Sequence, residues 1–93
     1  MDEVLTHNRE TSRFELRIDG ALVGYAHYRL KNGVAIFDST VVKPEFRGHG
    51  IASRLMDFAV EQVRAEQGWR IRPVCSFVVD YAKRNPAVAD LIV

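Results

Sequence analysis

The sequence predicts an α+β fold: a mixed sheet of three antiparallel strands followed by a strand–helix–strand crossover. Alternating apolar and polar residues, punctuated by hairpin turns, fill the first half of the chain. Ile51, Leu55, Ala59 and Val63 then recur every four residues, the spacing of one buried helix face. A further apolar run after that helix completes a crossover, which is expected to be right-handed and to join parallel strands.

Residues 1–8 carry no clear pattern and are expected to be loosely held. Phe14-Glu15-Leu16-Arg17-Ile18 alternates cleanly and reads as a half-buried strand, closed by the hairpin signal Asp19-Gly20. Leu22 to Leu30 is the second strand, with Leu22, Ala26, Tyr28 and Leu30 assigned to one face. Lys31-Asn32-Gly33 turns the chain again, Val34 to Val42 is the third strand, and Lys43-Pro44-Glu45-Phe46 breaks it. The helix is expected from about Gly50 to Gln67, with Gly68 at the C-cap. Trp69 to Val74 is the fourth strand, with Pro73 near its end. The β-branched run Val74 to Val79 could extend that strand. The pairs Phe77/Tyr81 and Val78/Ala82 at i, i+4, with Asn85-Pro86 as a stop, favour a helix over Ser76 to Arg84.

Composition narrows the function. At 93 residues and 47% hydrophobic content the chain reads as one packed domain, residues 1–93. A net charge of +1 without a basic stripe argues against nucleic-acid or membrane partners. No apolar run approaches the ~20 residues of a membrane span. Met1-Asp2-Glu3 lacks the features of a signal peptide. The single cysteine excludes an internal disulfide and a cysteine-based zinc cluster, and His7, His27 and His49 lie far apart. A cytoplasmic, monomeric protein without a metal is the expectation.

Chemistry concentrates at Arg47-Gly48-His49-Gly50-Ile51-Ala52, between strand and helix. The glycines let the backbone turn sharply and approach a ligand without an intervening Cβ. The first amides of the helix have no intrahelical acceptor, and its dipole adds roughly half a positive charge there. An anion such as a pyrophosphate suits that turn. Ser53 stands where a dinucleotide fingerprint needs its third glycine, and Ser53-Arg54 is not the Lys-Ser/Thr pair of a phosphate-binding loop. Arg47-x-x-Gly50-x-Ala52, preceded by Val41-Val42-Lys43-Pro44-Glu45-Phe46, resembles the acetyl-coenzyme A signature R/Q-x-x-G-x-G/A of the GNAT superfamily of N-acetyltransferases.

The resemblance extends along the chain. Thr40, Val42, Arg47-Gly48-x-Gly50, Pro73-Val74-Cys75, Tyr81, Asn85-Pro86 and Asp90-Leu91 together are similar to a small GNAT-like family of about a hundred residues with a Pro-x-Cys segment. Such proteins look like trimmed acetyltransferases that keep the coenzyme site and lack the acceptor-binding helices and final strands of larger relatives. The resemblance implies a trimmed GNAT fold, acetyl-coenzyme A as cosubstrate and transfer of its acetyl group to an amine whose identity the sequence does not reveal. It places the pantetheine arm along Val41, Val42 and Lys43, and the pyrophosphate on Arg47, Gly48, His49, Gly50, Ile51 and Ala52. A backbone amide of the strand, that of Val42, would then polarise the thioester carbonyl. The family often reads His-Thr-Glu-Val where this chain has Ser39-Thr40-Val41-Val42, and His-Pro-Glu-Tyr where it has Asn85-Pro86-Ala87-Val88. The histidine and glutamate that could serve as general base are thus absent.

Two residues are candidates for the chemical step. Cys75 is either a small buried residue at a strand end, or a nucleophile that takes the acetyl group or lines the thioester pocket, since a position just ahead of a helix N-terminus is one setting for reactive cysteines. Tyr81 is either a core aromatic or, by resemblance to the Tyr-x-Lys-x-Gly helix end of larger GNAT enzymes, the acid that protonates the departing thiolate. Lys83, Arg84 and Arg54 are exposed cations or contacts to the coenzyme 3′-phosphate. Besides the acetyltransferase reading, a coenzyme A-binding module with little catalysis and an interaction protein with a structural glycine turn stay open.

Overall fold

The computed structural model describes residues 2–93. Its strands β1 (Glu3–Asn8), β2 (Arg13–Ile18), β3 (Ala21–Lys31), β4 (Val34–Val42) and β5 (Arg70–Pro73) form one sheet in sequential order. The first four run antiparallel, and β5 lies parallel to β4 after the crossover through helix α1 (Ile51–Ala65). A second helix, α2 (Ser76–Arg84), follows β5 over the residues expected from sequence. Short 3-10 segments cover Pro44–Phe46 and Pro86–Leu91. Asp19-Gly20 and Asn32-Gly33 make the tight hairpins, each with both residues at positive φ (50° and 85°, 52° and 78°).

Four expectations change. Residues 3–8 are not loose but form β1, paired with β2 from Glu3↔Ile18 to Asn8↔Arg13. Leu5 packs against the core, and the His7 ring stacks on Phe14 at 4.2 Å. In β3 a bulge opposite Leu16/Arg17 shifts the faces, so Val23, 1% exposed, enters the core. Leu22 instead pairs with Arg17 on the other side, and Leu30, one residue before the strand's end, shares the face of Ala35 but is 48% exposed. Helix α1 ends at Ala65, because Glu66 is already extended (φ −87°, ψ 118°), so Gly68 (φ 83°) serves the turn into β5 rather than the C-cap. The strand β5 is shorter than expected and starts at Arg70.

Both helices cover one face of the sheet. Ile51, Leu55, Met56, Ala59 and Val63 of α1 close over Phe14, Leu16 and Phe37, and α2 adds Val78 and Tyr81. At the crossing, α1 rests on Gly24 of β3, where an added Cβ would lie 3.2 Å from Ile51 and 3.3 Å from Leu55. Among the described residues no helix is long and apolar enough to cross a membrane.

Candidate active site

Two neighbouring strands part where the chain needs room. β4 pairs with β5 only from Val34↔Arg70 to Phe37↔Pro73. The Phe37 carbonyl then accepts both the Val74 and the Cys75 amides at 3.0 Å, and the chain turns away into α2. Beyond Phe37, β4 keeps β3 on one side and, among the described residues, has no strand on the other. A bulge at Asp38 shifts its alternation, so Thr40 and Val42 pair with Ala26 and Gly24 on the helix-covered face. The Lys43 amide bonds the Val23 carbonyl at 2.9 Å. Antiparallel alternation then turns the backbone groups of Val41 towards β3 and those of Thr40 and Val42 towards the gap. The Val42 amide is thus turned to the gap, whereas the Lys43 amide is engaged with β3.

The gap forms a groove of two adjoining hollows, about 330 and 190 Å³, that share Val42, Arg47, Ala52 and Phe77. Thr40 and Val41 line one end, and Gly48, Gly50, Ile51 and Ser53 the other. At that second end Gly48 (φ 84°) and Gly50 (φ 72°) are left-handed, and Gly50 caps α1. The Arg54 amide reaches the Gly50 carbonyl at 3.0 Å, while the amides from Gly48 to Ser53 have no backbone acceptor among the described residues. A run of free donors at a helix N-terminus beside the Arg47 guanidinium is suited to a diphosphate.

Not every expected residue meets the groove. His49 turns to the opposite side of the loop, into a separate hollow with Glu3, Glu45 and Arg54. Arg54 donates to the His49 carbonyl at 2.6 Å and pairs with Glu3 at 2.6 Å, so it braces the loop instead of facing a ligand. Among the described residues Lys83 and Arg84, both exposed, carry no ion pair. Cys75, half-buried at the N-cap of α2, lies 3.4 Å from the Thr40 hydroxyl at the far end of the groove. Tyr81 is only 7% exposed and does not line the groove; its phenol donates to Asp57 of α1 at 2.6 Å. Burial, then the Asp57 hydrogen bond, pushes the phenol pKa well up and keeps it protonated. Thr40 and Phe77 are groove residues that sequence reasoning did not single out as a site. Phe77 read as a core partner of Tyr81, and Thr40 faces the gap only because of the bulge.

The sequence profile described as GCN5-related N-acetyl-transferase matches residues 13–91. The chain belongs to that family. Among solved structures, this GCN5-related chain superposes on the solution structure of a GCN5-like protein from Staphylococcus aureus. The TM-score is 0.74 at 21% identity, covering 97% of this chain and 87% of that one. It also matches the ribosomal-protein-S18-alanine N-acetyltransferase of Escherichia coli, with TM-score 0.65, 12% identity, and coverage of 83% and 52%. A third match is N-acetylglutamate synthase from Neisseria gonorrhoeae, solved with coenzyme A and N-acetyl-glutamate, at TM-score 0.63 and 20% identity. It covers 88% of this chain and 22% of that one, so the GCN5-related chain spans about half or less of the two larger enzymes. These likenesses establish the fold. No curated protein matches the chain.

Proposed function

We propose that the chain binds acetyl-coenzyme A in this groove and transfers the acetyl group to an amine. The observation that carries this reading is the continuity of one cleft. A run of unpaired amides lies at one end, the open backbone of Thr40 and Val42 along the wall, and Cys75 at the other end. Diphosphate on the turn directs an extended pantetheine arm along β4, where it pairs as an added strand would. The thioester then reaches the Thr40–Cys75 end. Attack of a neutral amine forms the N–C bond; the Val42 amide stabilises the oxyanion, and collapse breaks the C–S bond. The departing thiolate takes a proton and the amide nitrogen loses one. Positioning of the amine against the thioester supplies much of the rate.

Calorimetry with coenzyme A, followed by mass spectrometry of an amine panel incubated with acetyl-coenzyme A, tests the reading. Arg47→Ala should weaken coenzyme binding by about 1–2 kcal/mol, because the free amides remain. An unchanged dissociation constant would remove Arg47 from the site. Cys75 acts in this scheme as a lining residue: Cys75→Ser keeps coenzyme affinity and Cys75→Ala lowers turnover without abolishing it. An acetyl group on Cys75 that moves onward to an amine, with Cys75→Ala inactive, would replace direct transfer by double displacement. Tyr81 is assigned the acid role, which requires its phenol to leave Asp57. Tyr81→Phe should then cut turnover at unchanged coenzyme affinity. Full turnover with only about 1 kcal/mol of lost stability would make the phenol a helix–helix tie.

A second reading, a coenzyme A-binding module with little catalysis, is favoured by the groove lining. Among the described residues Arg47 is the one charged side chain on it, and neither a carboxylate nor a histidine lines it to deprotonate an ammonium acceptor. Coenzyme binding without acetylation of any amine would decide for that reading.

A further inference from the structure

The sheet face opposite the helices is covered by no described element, and its register rows sort the charges of the chain. On this face lie Arg13 beside His27, Glu15 beside Tyr25, and Arg17 beside Leu22. The rows Arg29–Ile36–Arg72 and Lys31–Val34 extend it across β4 to β5. Five cations (Arg13, Arg17, Arg29, Lys31, Arg72) face two carboxylates (Glu15, Asp38), a net of +3. Arg70, at the margin, turns to the Asp90 carbonyl at 3.2 Å and is counted with the rest. The rest of the chain then holds eight cations against ten carboxylates, a net of −2, so the overall +1 conceals a positive sheet face on an otherwise slightly negative molecule.

Both carboxylates are engaged within the face. Glu15, 2% exposed, is held by Arg13 at 2.6 Å and Arg17 at 3.3 Å, and Asp38 by His27 at 2.7 Å and Arg29 at 3.3 Å. Lys31 and Arg72 are exposed and have no ionic partner among the described residues. Apolar surface lies between the charges, with Tyr25 and Ile36 half-buried and Val41 42% exposed. A second copy presenting the same face would be repelled. Single-stranded nucleic acid needs bare aromatic faces for stacking, and the Tyr25 ring is covered by the Arg13 guanidinium at 4.5 Å. Aliphatic side chains flanked by cations match a polypeptide that alternates acidic and apolar residues. This face also reaches the groove, because Ser39 and Val41 on it alternate along β4 with Thr40 and Val42 in the cleft.

We propose that the uncovered sheet face docks an acidic, partly apolar polypeptide segment, which, on the transfer reading above, brings the acceptor amine to the thioester. The test uses a fluorescein-labelled peptide alternating Glu with Leu around one central Lys, and its Gln-for-Glu counterpart. Fluorescence anisotropy without coenzyme should show the acidic peptide binding about tenfold more tightly than the neutral one, and binding should weaken as salt rises. Lys31→Glu combined with Arg72→Glu should remove that preference while calorimetric coenzyme A affinity stays unchanged, and Arg29→Gln should reduce it in part. Equal binding of the two peptides, or an unaffected double variant, overturns the docking surface. Stronger competition by an oligouridylate of matched charge replaces the polypeptide with nucleic acid. With acetyl-coenzyme A added, the central Lys of the acidic peptide should be acetylated faster than that of the neutral one. A docked but unmodified Lys beside normal coenzyme binding overturns its role as acceptor. Absent coenzyme binding overturns the transfer reading alone, and the anisotropy result stands or falls by itself.

Discussion

Gly50→Val should abolish coenzyme A binding while leaving a folded protein. Gly50 caps α1 at φ 72°, and its amide belongs to the run from Gly48 to Ser53 that has no backbone acceptor among the described residues. A β-branched side chain there has two effects. It forces the turn that presents the free amides to rearrange, and it strains a left-handed residue by roughly 1–2 kcal/mol. The nearest atom to an added Cβ is the Arg54 Nη1 at 3.3 Å, the far end of a side chain that can give way. The core beneath, Ile51 and Leu55, is not touched directly. Circular dichroism should therefore report a folded chain that melts a few degrees lower, while calorimetry shows no heat of coenzyme binding. Wild-type affinity in the folded variant would mean that the diphosphate sits elsewhere.

Gly24→Val should produce the largest loss of stability. An added Cβ would lie 3.0 Å from the Val41 carbonyl oxygen, 3.2 Å from Ile51 and 3.3 Å from Leu55. One of these neighbours is backbone in the adjacent strand, so relief requires lifting α1 from β3 or separating β3 from β4. Overpacking of this kind costs about 1–3 kcal/mol, and the branched methyls of valine place the variant at the upper end. For a chain of this size that corresponds to a melting temperature lower by about 10–20 °C. Because α1 and β4 also form the two sides of the groove, coenzyme affinity should fall as well. An unchanged melting temperature would show that the helix has slack at this crossing.

Much of the architecture was legible in local pattern, and the failures have physical reasons. The three hairpin strands carry clean alternation and Asp-Gly or Asn-Gly turns, and α1 and α2 carry four-residue periodicity with a glycine before one and Asn-Pro after the other. β1 escaped notice because only Leu5 and His7 among its inward positions are partly buried, while Glu3, Val4 and Thr6 are exposed, so no apolar rhythm marks it. Bulges leave no trace in composition. The one beside Leu16 exchanged Leu22 for Val23 in the core, and the one at Asp38 brought Thr40 to the groove wall. The role of Arg54 depends on Glu3, more than fifty positions earlier, which a reading of the turn alone could not supply. The gathering of cations on the uncovered sheet face likewise exists only once the strands are in register.

The parting of β4 from β5 also makes an edge inside the sheet. At Thr40 and Val42 the backbone offers hydrogen-bonding groups with no neighbouring strand, the condition under which foreign chains add to sheets and aggregate. The bulge at Asp38 confines the opening at one end and Lys43-Pro44 at the other, so no long template is presented. A ligand that fills the opening only in the folded state stabilises the chain by about 2.7 kcal/mol at a hundredfold excess over its dissociation constant. It would also shield the edge from self-association. Solubility and resistance to proteolysis should then follow how fully the cleft is occupied, and the empty protein should be the adhesive form.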